Sequence, residues 1–199
     1  MLPAVGTPRL WIVAGPNGSG KSTLYDQTDI EGFGQSVWII NPDVLSATIA
    51  RQEKVALIDA NLAAVERIER WLRASVDTYQ TIGVETVLST GKYRDLVQVA
   101  KQRGFELRLL YVMLGSVEQN MARVRLRVAK GGHAVPEDRI IARHRRSLDQ
   151  LPWFLDAADW ARIYDNSDAA PRLVGTKTGD LIEIDPSAPA DLRAALGAG

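Results

Sequence analysis

The stretch Leu10-Trp-Ile-Val-Ala14, followed at once by Gly15-Pro-Asn-Gly-Ser-Gly-Lys-Ser22, decides the fold. The first five residues are continuously apolar, which is typical of a strand buried on both faces. The next eight satisfy the pattern G-x-x-x-x-G-K-[ST] of a phosphate-binding loop. A helix is predicted from Lys21 to about Gln27. The loop therefore has the strand-before, helix-after context that the motif requires.

The glycines of this loop allow backbone N–H groups to turn towards phosphate oxygens, and the helix that follows adds its positive N-terminal dipole. Lys21 is expected to reach the β- and γ-phosphates, and Ser22 to ligate Mg²⁺. The full match in the right context disfavours the alternative of a glycine-rich turn that binds nothing. The residues predicted to contact the nucleotide here are Gly15, Pro16, Asn17, Gly18, Ser19, Gly20, Lys21, Ser22 and Thr23.

Apolar runs alternate with amphipathic segments along the rest of the chain. Further strands are predicted over 36–40, 84–88, 107–114 and 162–164, and helices over 54–80, 93–103, 116–130 and 136–151. The tail predicts a hairpin over 172–176 and 180–184 and a short helix over 190–196. This alternation predicts a three-layer α/β fold with a mostly parallel five-stranded core sheet, helices on both faces and a C-terminal β-hairpin. With no repeats or linker, residues 1–199 are expected to form a single domain, with its hairpin and tail at about 171–199.

Composition excludes several classes of function. Lys and Arg together number 24, as do Asp and Glu, and this zero net charge argues against a broad electrostatic grip on nucleic acid or membrane. The absence of cysteine excludes disulfides and Cys-ligated zinc. No apolar run approaches the ~20 residues that span a bilayer, and the first residues do not resemble a signal peptide. The expected location is the cytoplasm, with no membrane partner.

Two carboxylates lie at neighbouring predicted strands, Asp43 after the second and Glu85 within the third. Motifs of motor ATPases, transporter ATPases and GTPases are absent, whereas a kinase needs such groups to accept a proton and to hold Mg²⁺ or substrate. For Asp43 the alternative role is the N-cap of the helix that begins near Pro42. An acid inside an apolar strand is costly unless it is paired, so Glu85 favours a functional role.

The segment 121–146 holds eight basic residues against two acidic ones. Arg123 and Arg127 share a helix face, and Arg139, Arg143 and Arg146 repeat that spacing on the next helix. Two arginine-lined helices joined by a Gly-Gly loop predict a lid, at about 121–151, that closes over polyphosphate. The alternatives are a solvated basic face and an RNA-contacting patch, the latter disfavoured by the lack of interleaved aromatic residues. His133 is interpreted as ordering the loop.

Five motifs occur in order: the loop 14–23, Asn41-Pro-Asp43, Glu85-Thr-Val-Leu-Ser89, the Arg123/Arg127 pair with the Gly-Gly-His-x-Val-Pro run that ends at residue 136, and Asp165-Asn-Ser167. Over about residues 10–167 this set resembles the zeta-toxin family, in particular its shorter chromosomal members. The resemblance implies a P-loop kinase with strand order 2-3-1-4-5. Such kinases use ATP and Mg²⁺ to phosphorylate the sugar 3′-hydroxyl of UDP-N-acetylglucosamine, and a small antitoxin protein holds them inactive.

The resemblance also implies roles for individual residues. Asp43 matches the catalytic base and Glu85 the acid that contacts substrate, with a further hydroxyl from Ser89 or Thr90. By likeness to the lid of nucleoside monophosphate kinases, Arg123 would stack on adenine and Arg127 would reach phosphate. The run 165–167, with Asn166 at its centre, would border adenine. The longer lid of the known toxins carries a second phosphate-contacting arginine, for which the candidates here are Lys130, Arg143 and Arg146.

The predicted function is therefore a kinase that transfers the γ-phosphate of ATP to a hydroxyl of a small molecule, with a UDP-amino-sugar as the favoured acceptor. Asp43, Lys21 and Arg127 are the predicted catalytic residues, and Arg143 is placed with the substrate. The alternatives are an antibiotic or metabolite kinase on the same scaffold, an ATP-dependent switch or nucleic-acid-associated NTPase, and a nucleotide-binding module without turnover.

Overall fold

The structure, a computed structural model, describes residues 6–27, 37–132 and 134–197, and of residues 25–27 the backbone alone. Ser36, with which the second strand was predicted to begin, and His133 lie outside these ranges. Within them, no helix is both long and apolar enough to cross a membrane. The strands are β1 (Arg9–Ala14), β2 (Ile39–Ile40), β3 (Ile82–Thr86), β4 (Glu106–Met113), β5 (Trp160–Asp165), β6 (Arg172–Thr178) and β7 (Leu181–Ile184). The helices are α1 (Lys21–Gln27), α2 (Pro42–Glu53), α3 (Leu57–Asp77), α4 (Arg94–Gln102), α5 (Val117–Ala129), α6 (Glu137–Ala157) and α7 (Ala190–Ala195).

The strands form one mixed sheet in the order β2-β3-β1-β4-β5-β6-β7. The first five are parallel and follow the order 2-3-1-4-5 that the resemblance implied. The expectation of a five-stranded core sheet needs correction, because β6 pairs antiparallel along β5 and β7 along β6, so that the sheet has seven strands. The hairpin thereby covers the backbone hydrogen-bonding groups that β5 would otherwise leave unpaired at a sheet edge.

Helices contact both faces of the sheet, as expected, but the faces differ in their covering. The main core lies on one face, where side chains of α3, α4 and α6 such as Leu72, Val97 and Leu151 pack against the strands. On the other face Leu24 of α1 packs against a second cluster that includes Trp11 and Trp160. The parallel strands bring the loops after β1, β2, β3 and β5 to one edge of the sheet, where ligands of such folds bind.

Helix α6 is longer than the sequence predicts. The predicted end near residue 151 is wrong, because the helix continues through Pro152 to Ala157. A proline in a helix costs ~3 kcal/mol or more, but the last turns bury Phe154 and Leu155 in the core. The ammonium group of Lys177 also donates to the carbonyls of Leu155 (2.8 Å) and Asp156 (2.6 Å), which stabilises this helix end. The predicted helix 54–80 starts later, at Leu57, because α2 occupies the chain up to Glu53.

The close pairing of β2, β3 and β1 depends on Gly83. A Cβ added there would overlap with the Cδ1 of Ile39 and lie 2.8 Å from the Cβ of Trp11. Gly83→Ala is therefore expected to lower the free energy of unfolding by about 1–3 kcal/mol, the usual cost of overpacking. Urea denaturation of the variant and of the wild type measures this change in the free energy of unfolding. Gly6→Ala is the control, because among the residues that the structure describes none beyond its chain neighbours lies within 4 Å of a Cβ added at Gly6. Equal urea midpoints for Gly83→Ala and the wild type would contradict this packing.

Candidate functional site

A cleft of about 500 Å³ opens at the sheet edge where β1, β2 and β3 end. Its lining comes from the loop between β1 and α1, from the first turn of α2, from the end of β3 and from arginines of α5 and α6. Nine of the predicted site residues line it: Asn17, Gly18, Lys21, Asp43, Glu85, Ser89, Thr90, Arg127 and Arg143. The cleft thus holds the predicted catalytic lysine, aspartate and lid arginine together.

The phosphate-loop backbone follows a path that only glycine permits at its first position. Gly15 has φ +141°, and a Cβ there would overlap with the carbonyl oxygen of Val112 in β4. Lys21 folds back over this part of the loop, and its Nζ donates to the carbonyls of Gly15 (2.8 Å) and Pro16 (3.1 Å). The loop therefore has its lysine turned towards its own backbone, with carbonyl partners that phosphate oxygens could replace.

Lys21 is a buried cation between charges of both signs. Its Nζ lies 4.0 Å from the Glu85 carboxylate. Burial lowers the pKa of Lys21 below its ordinary value of 10.5, the nearby carboxylates of Glu85 and Asp43 oppose that shift, and Arg127 adds to it. Asp43 and Arg127, the other two predicted catalytic residues, therefore both lie within electrostatic reach of Lys21.

Glu85 is paired, which explains how an acid is tolerated at the end of a buried strand. Its Oε2 accepts hydrogen bonds from the Ser22 hydroxyl (2.8 Å) and from the side-chain nitrogen of Asn41 (2.8 Å). The phosphate-loop serine and the strand acid therefore present a hydroxyl and a carboxylate side by side. These are the hard oxygen ligands that Mg²⁺ prefers.

Asn41 is the N-cap of α2, and the alternative that Asp43 caps this helix is wrong. The Oδ1 of Asn41 accepts from the backbone N–H groups of Asp43 (3.0 Å) and Val44 (3.3 Å). The physical reason is that Pro42 occupies the first helical position, which proline favours, so the cap falls one residue before it. Asp43 lies in the first turn with an exposed side chain at the cleft. The helix dipole stabilises its negative charge there.

Arg123 and Asn166 contact the phosphate loop but do not line the cleft. The side-chain nitrogen of Asn166 donates to the carbonyl of Ser19 (2.8 Å), and Arg123 donates to the Asn166 carbonyl (2.6 Å). The remaining predicted residues, in the loop and the first turn of α1, are Gly15, Pro16, Ser19, Gly20, Ser22 and Thr23. Of the three candidates for a second lid arginine, Arg143 alone is among the cleft-lining residues that the structure describes. Its guanidinium donates to the Asn17 side chain (3.4 Å).

Residues 10–151 match the AAA_33 family, which is described as an AAA domain. The chain belongs to this family. It is also 32% identical over 142 residues to an uncharacterized protein of Haemophilus influenzae, a match that covers 65% of this chain and 93% of that protein. The family match contains the phosphate loop, Asp43, Glu85 and the arginines of the predicted lid. The strands β5 to β7, with Asn166 after β5, lie beyond it.

Solved structures share the fold. The crystal structure of AvrRxo1-ORF1:-ORF2 with ATP superposes with a TM-score of 0.73 at 18% identity and covers 96% of this chain. This chain spans 63% of that one, less than two thirds of its length. The PezAT chromosomal toxin-antitoxin system of Streptococcus pneumoniae gives a TM-score of 0.63 at 16% identity, covering 98% of this chain and 80% of that one. At such identities the likeness establishes an α/β P-loop kinase-like fold for this AAA-domain chain.

The cleft of this chain also contains residues to which the sequence patterns gave no role. They are Asn61, Lys92 and Tyr93, whereas Arg139 belongs to the arginine spacing predicted for the lid and Asn41 to a quoted motif without a predicted role. The Asn-Pro pair at 41–42 is a helix-start signal that could have identified Asn41 as the cap. Asn61 lies on an amphipathic helix among many polar residues, where no pattern distinguishes a side chain that faces a cleft from one that faces water.

Proposed function

We propose that this chain is a kinase of the zeta-toxin type, which transfers the γ-phosphate of ATP to a hydroxyl of a nucleotide sugar such as UDP-N-acetylglucosamine. The observation that carries the proposal is the position of Asp43. It faces the same cleft as Lys21 and Arg127, and the capping role that would otherwise explain it belongs to Asn41. A carboxylate that faces the phosphate loop and does not cap its own helix suits a general base.

The proposed reaction uses each of these groups once. The acceptor oxygen forms a bond to the γ-phosphorus as the bond from that phosphorus to the β–γ bridging oxygen breaks, and ADP leaves. Asp43 takes the proton of the acceptor hydroxyl. Lys21 and Arg127 stabilise the negative charge on the oxygens of the transferring group, which is the largest contribution that protein side chains make in phosphoryl transfer. Arg123 and Asn166 would hold the adenine ring of ATP.

Ser22 and Glu85 would hold Mg²⁺, because their hydroxyl and carboxylate are hydrogen-bonded to each other at the mouth of the phosphate loop. Mg²⁺ in kinases is held by one or two such groups together with phosphate oxygens. When bound, it would neutralise charge on the β- and γ-phosphates.

The cleft-lining residues outside the phosphate loop favour an acceptor that is polar and anionic. Asn61, Ser89 and Thr90 offer amide and hydroxyl groups to sugar hydroxyls, and Arg139 and Arg143 offer cations to a diphosphate. ATP and nucleotide sugars are cytoplasmic, so we place the protein there. The AvrRxo1 structure contains ORF1 together with ORF2, and PezAT is a toxin-antitoxin system. We therefore propose a small antitoxin-like partner as well.

Incubation with γ-³²P-labelled ATP, Mg²⁺ and a panel of acceptors tests the proposal. The panel contains UDP-N-acetylglucosamine, UDP-glucose, free N-acetylglucosamine and an aminoglycoside, with a sample lacking any acceptor. We expect label on the UDP-amino-sugar and little on the free sugar, which lacks the diphosphate. Label on the aminoglycoside would favour an antibiotic kinase, and label released only as inorganic phosphate would favour an ATP-dependent switch. Either result would contradict the proposed function.

A further inference from the structure

Asn120 connects the phosphate loop to the lid helices from outside the cleft. It lies in α5 with an exposed fraction of 0%. Its side-chain nitrogen donates to the carbonyl of Asn17 (2.8 Å), and its Oδ1 lies 3.0 Å from the Nδ1 of His144 in α6. A fully buried carboxamide is tolerated when its hydrogen bonds are made, and here both ends of the group have partners.

The directions of these hydrogen bonds follow from the chemistry of the partners. The Asn17 carbonyl can only accept, so the Asn120 nitrogen must face it and the Asn120 oxygen must face His144. Because that oxygen can only accept, the Nδ1 of His144 carries a hydrogen. On the other side of the ring, Nε2 lies 3.6 Å from the carboxylate of Asp191 in α7. A chain of hydrogen bonds therefore runs from His144 in α6 through Asn120 in α5 to the phosphate loop.

The hydrogen bond from Asn120 fixes the orientation of one peptide group of the loop. The C=O and N–H of a trans peptide point in opposite directions, and the described residues contain no cis peptide. Since the Asn17 carbonyl points towards α5, the N–H of Gly18 points away from it. Asn166 holds the Ser19 carbonyl in the same way, so two peptide groups of the loop are oriented by side-chain amides.

Helix α5 also packs directly on this part of the loop. A Cβ at Gly18 would lie 2.9 Å from the Asn120 carbonyl oxygen and 3.1 Å from a methyl group of Val124. The loop therefore has no room to shift towards α5, and a displacement of the first turns of α5 would be transmitted to the Asn17–Gly18 peptide.

We infer that Asn120 and His144 are positioning residues of the nucleotide site: they hold the Asn17–Gly18 peptide with its N–H turned to phosphate, and so set the affinity for ATP. The inference rests on the proposed nucleotide binding and deepens it. It connects that affinity to α6 through the hydrogen bond between Asn120 and His144.

Calorimetric titration with ATP and steady-state kinetics test the inference. Asn120→Ala is expected to raise the Kd and the KM for ATP about tenfold, as loss of one hydrogen bond implies, with kcat at saturating ATP within about twofold. His144→Leu should weaken ATP binding similarly. His144→Asn should restore it to within about threefold of the wild type, because the asparagine nitrogen takes the place of Nδ1 as the donor.

Ser147→Ala is the matched control. Ser147 lies on α6, as His144 does, and has an exposed fraction of 0%. Its hydroxyl forms a hydrogen bond with Tyr111 (3.0 Å) and not with Asn120. It should lower stability without changing the Kd for ATP. If Asn120→Ala and His144→Leu also lower stability but bind ATP like the wild type, the role is structural and the inference is wrong. A wild-type chain that does not bind ATP would overturn the proposed function and this inference together.

Nitrogen NMR of the wild-type chain gives a readout that does not depend on the folding of variants at Asn120 or His144. The chain has two histidines, so His144 can be assigned by comparison with a variant at His133. We expect the Nδ1 of His144 to carry a hydrogen. A neutral ring with the hydrogen on Nε2 alone would overturn the hydrogen-bond directions derived above.

Discussion

Replacing Asp43 with asparagine is expected to lower kcat by about 10²- to 10⁴-fold, the usual contribution of a general base, and to leave the Kd for ATP within about twofold. The asparagine keeps the size of the side chain and its place in the first turn of α2, but it cannot take the hydroxyl proton. Initial rates of label transfer from ATP to the acceptor measure kcat, and calorimetry measures ATP binding.

Asp59→Asn is the matched control for this prediction. Asp59 is an exposed acid in the first turn of α3, as Asp43 is in the first turn of α2, so both substitutions remove a charge that the helix dipole stabilises. Asp59 is not among the residues that line the cleft. Its variant should transfer phosphate at the wild-type rate. Wild-type turnover by Asp43→Asn would remove Asp43 from the mechanism.

Lys21→Met is expected to lower kcat/KM by about 10²- to 10³-fold, because it removes a preorganised cation from the transferring phosphate. The fold should persist. The ammonium of Lys21 is desolvated, and its hydrogen bonds in this structure go to two carbonyls of the loop, so its loss removes a cation that burial disfavours. Kinetics and urea denaturation measured on the same preparation separate a loss of catalysis from a loss of stability. Lost turnover together with lost folding would show a structural lysine instead.

The pH dependence of stability provides a second check on Lys21. Burial lowers its pKa in the folded state below 10.5. Between these two pKa values the unfolded chain binds the extra proton, so the free energy of unfolding of the wild type rises with pH in that interval. Lys21→Met lacks this contribution, and the stability difference between the two proteins should change in favour of the wild type as pH rises. A difference that is constant with pH would contradict a lowered pKa.

Local sequence signals predicted the parts of the molecule that depend on local chemistry. The glycines, Lys21 and Ser22, in their strand–helix context, were sufficient to predict the phosphate loop. Glu85 could be predicted as a functional residue because an acid in an apolar strand needs partners. The strand order came with the family resemblance, since spacing alone does not determine which strands are neighbours.

The features that the sequence did not predict depend on contacts between distant residues. Strand β6 pairs with the backbone N–H and C=O groups at the edge of β5. The continuation of α6 through Pro152 depends on burial in the core and on Lys177, 25 positions further along the chain. Asn120 and His144 are separated by 24 residues and each lies in an ordinary amphipathic helix. Nothing in either helix pattern indicates that the two side chains meet behind the phosphate loop.

The central claim is that an alcohol, and not water, receives the γ-phosphate in this cleft. Phosphorus NMR of the reaction in water enriched in ¹⁸O, with ATP, Mg²⁺ and UDP-N-acetylglucosamine, tests it most directly. We predict that the γ-phosphorus appears as a phosphate monoester without ¹⁸O, in step with ADP, and that Asp43→Asn suppresses this signal. Inorganic phosphate carrying ¹⁸O as the only product that contains the γ-phosphorus would contradict the claim.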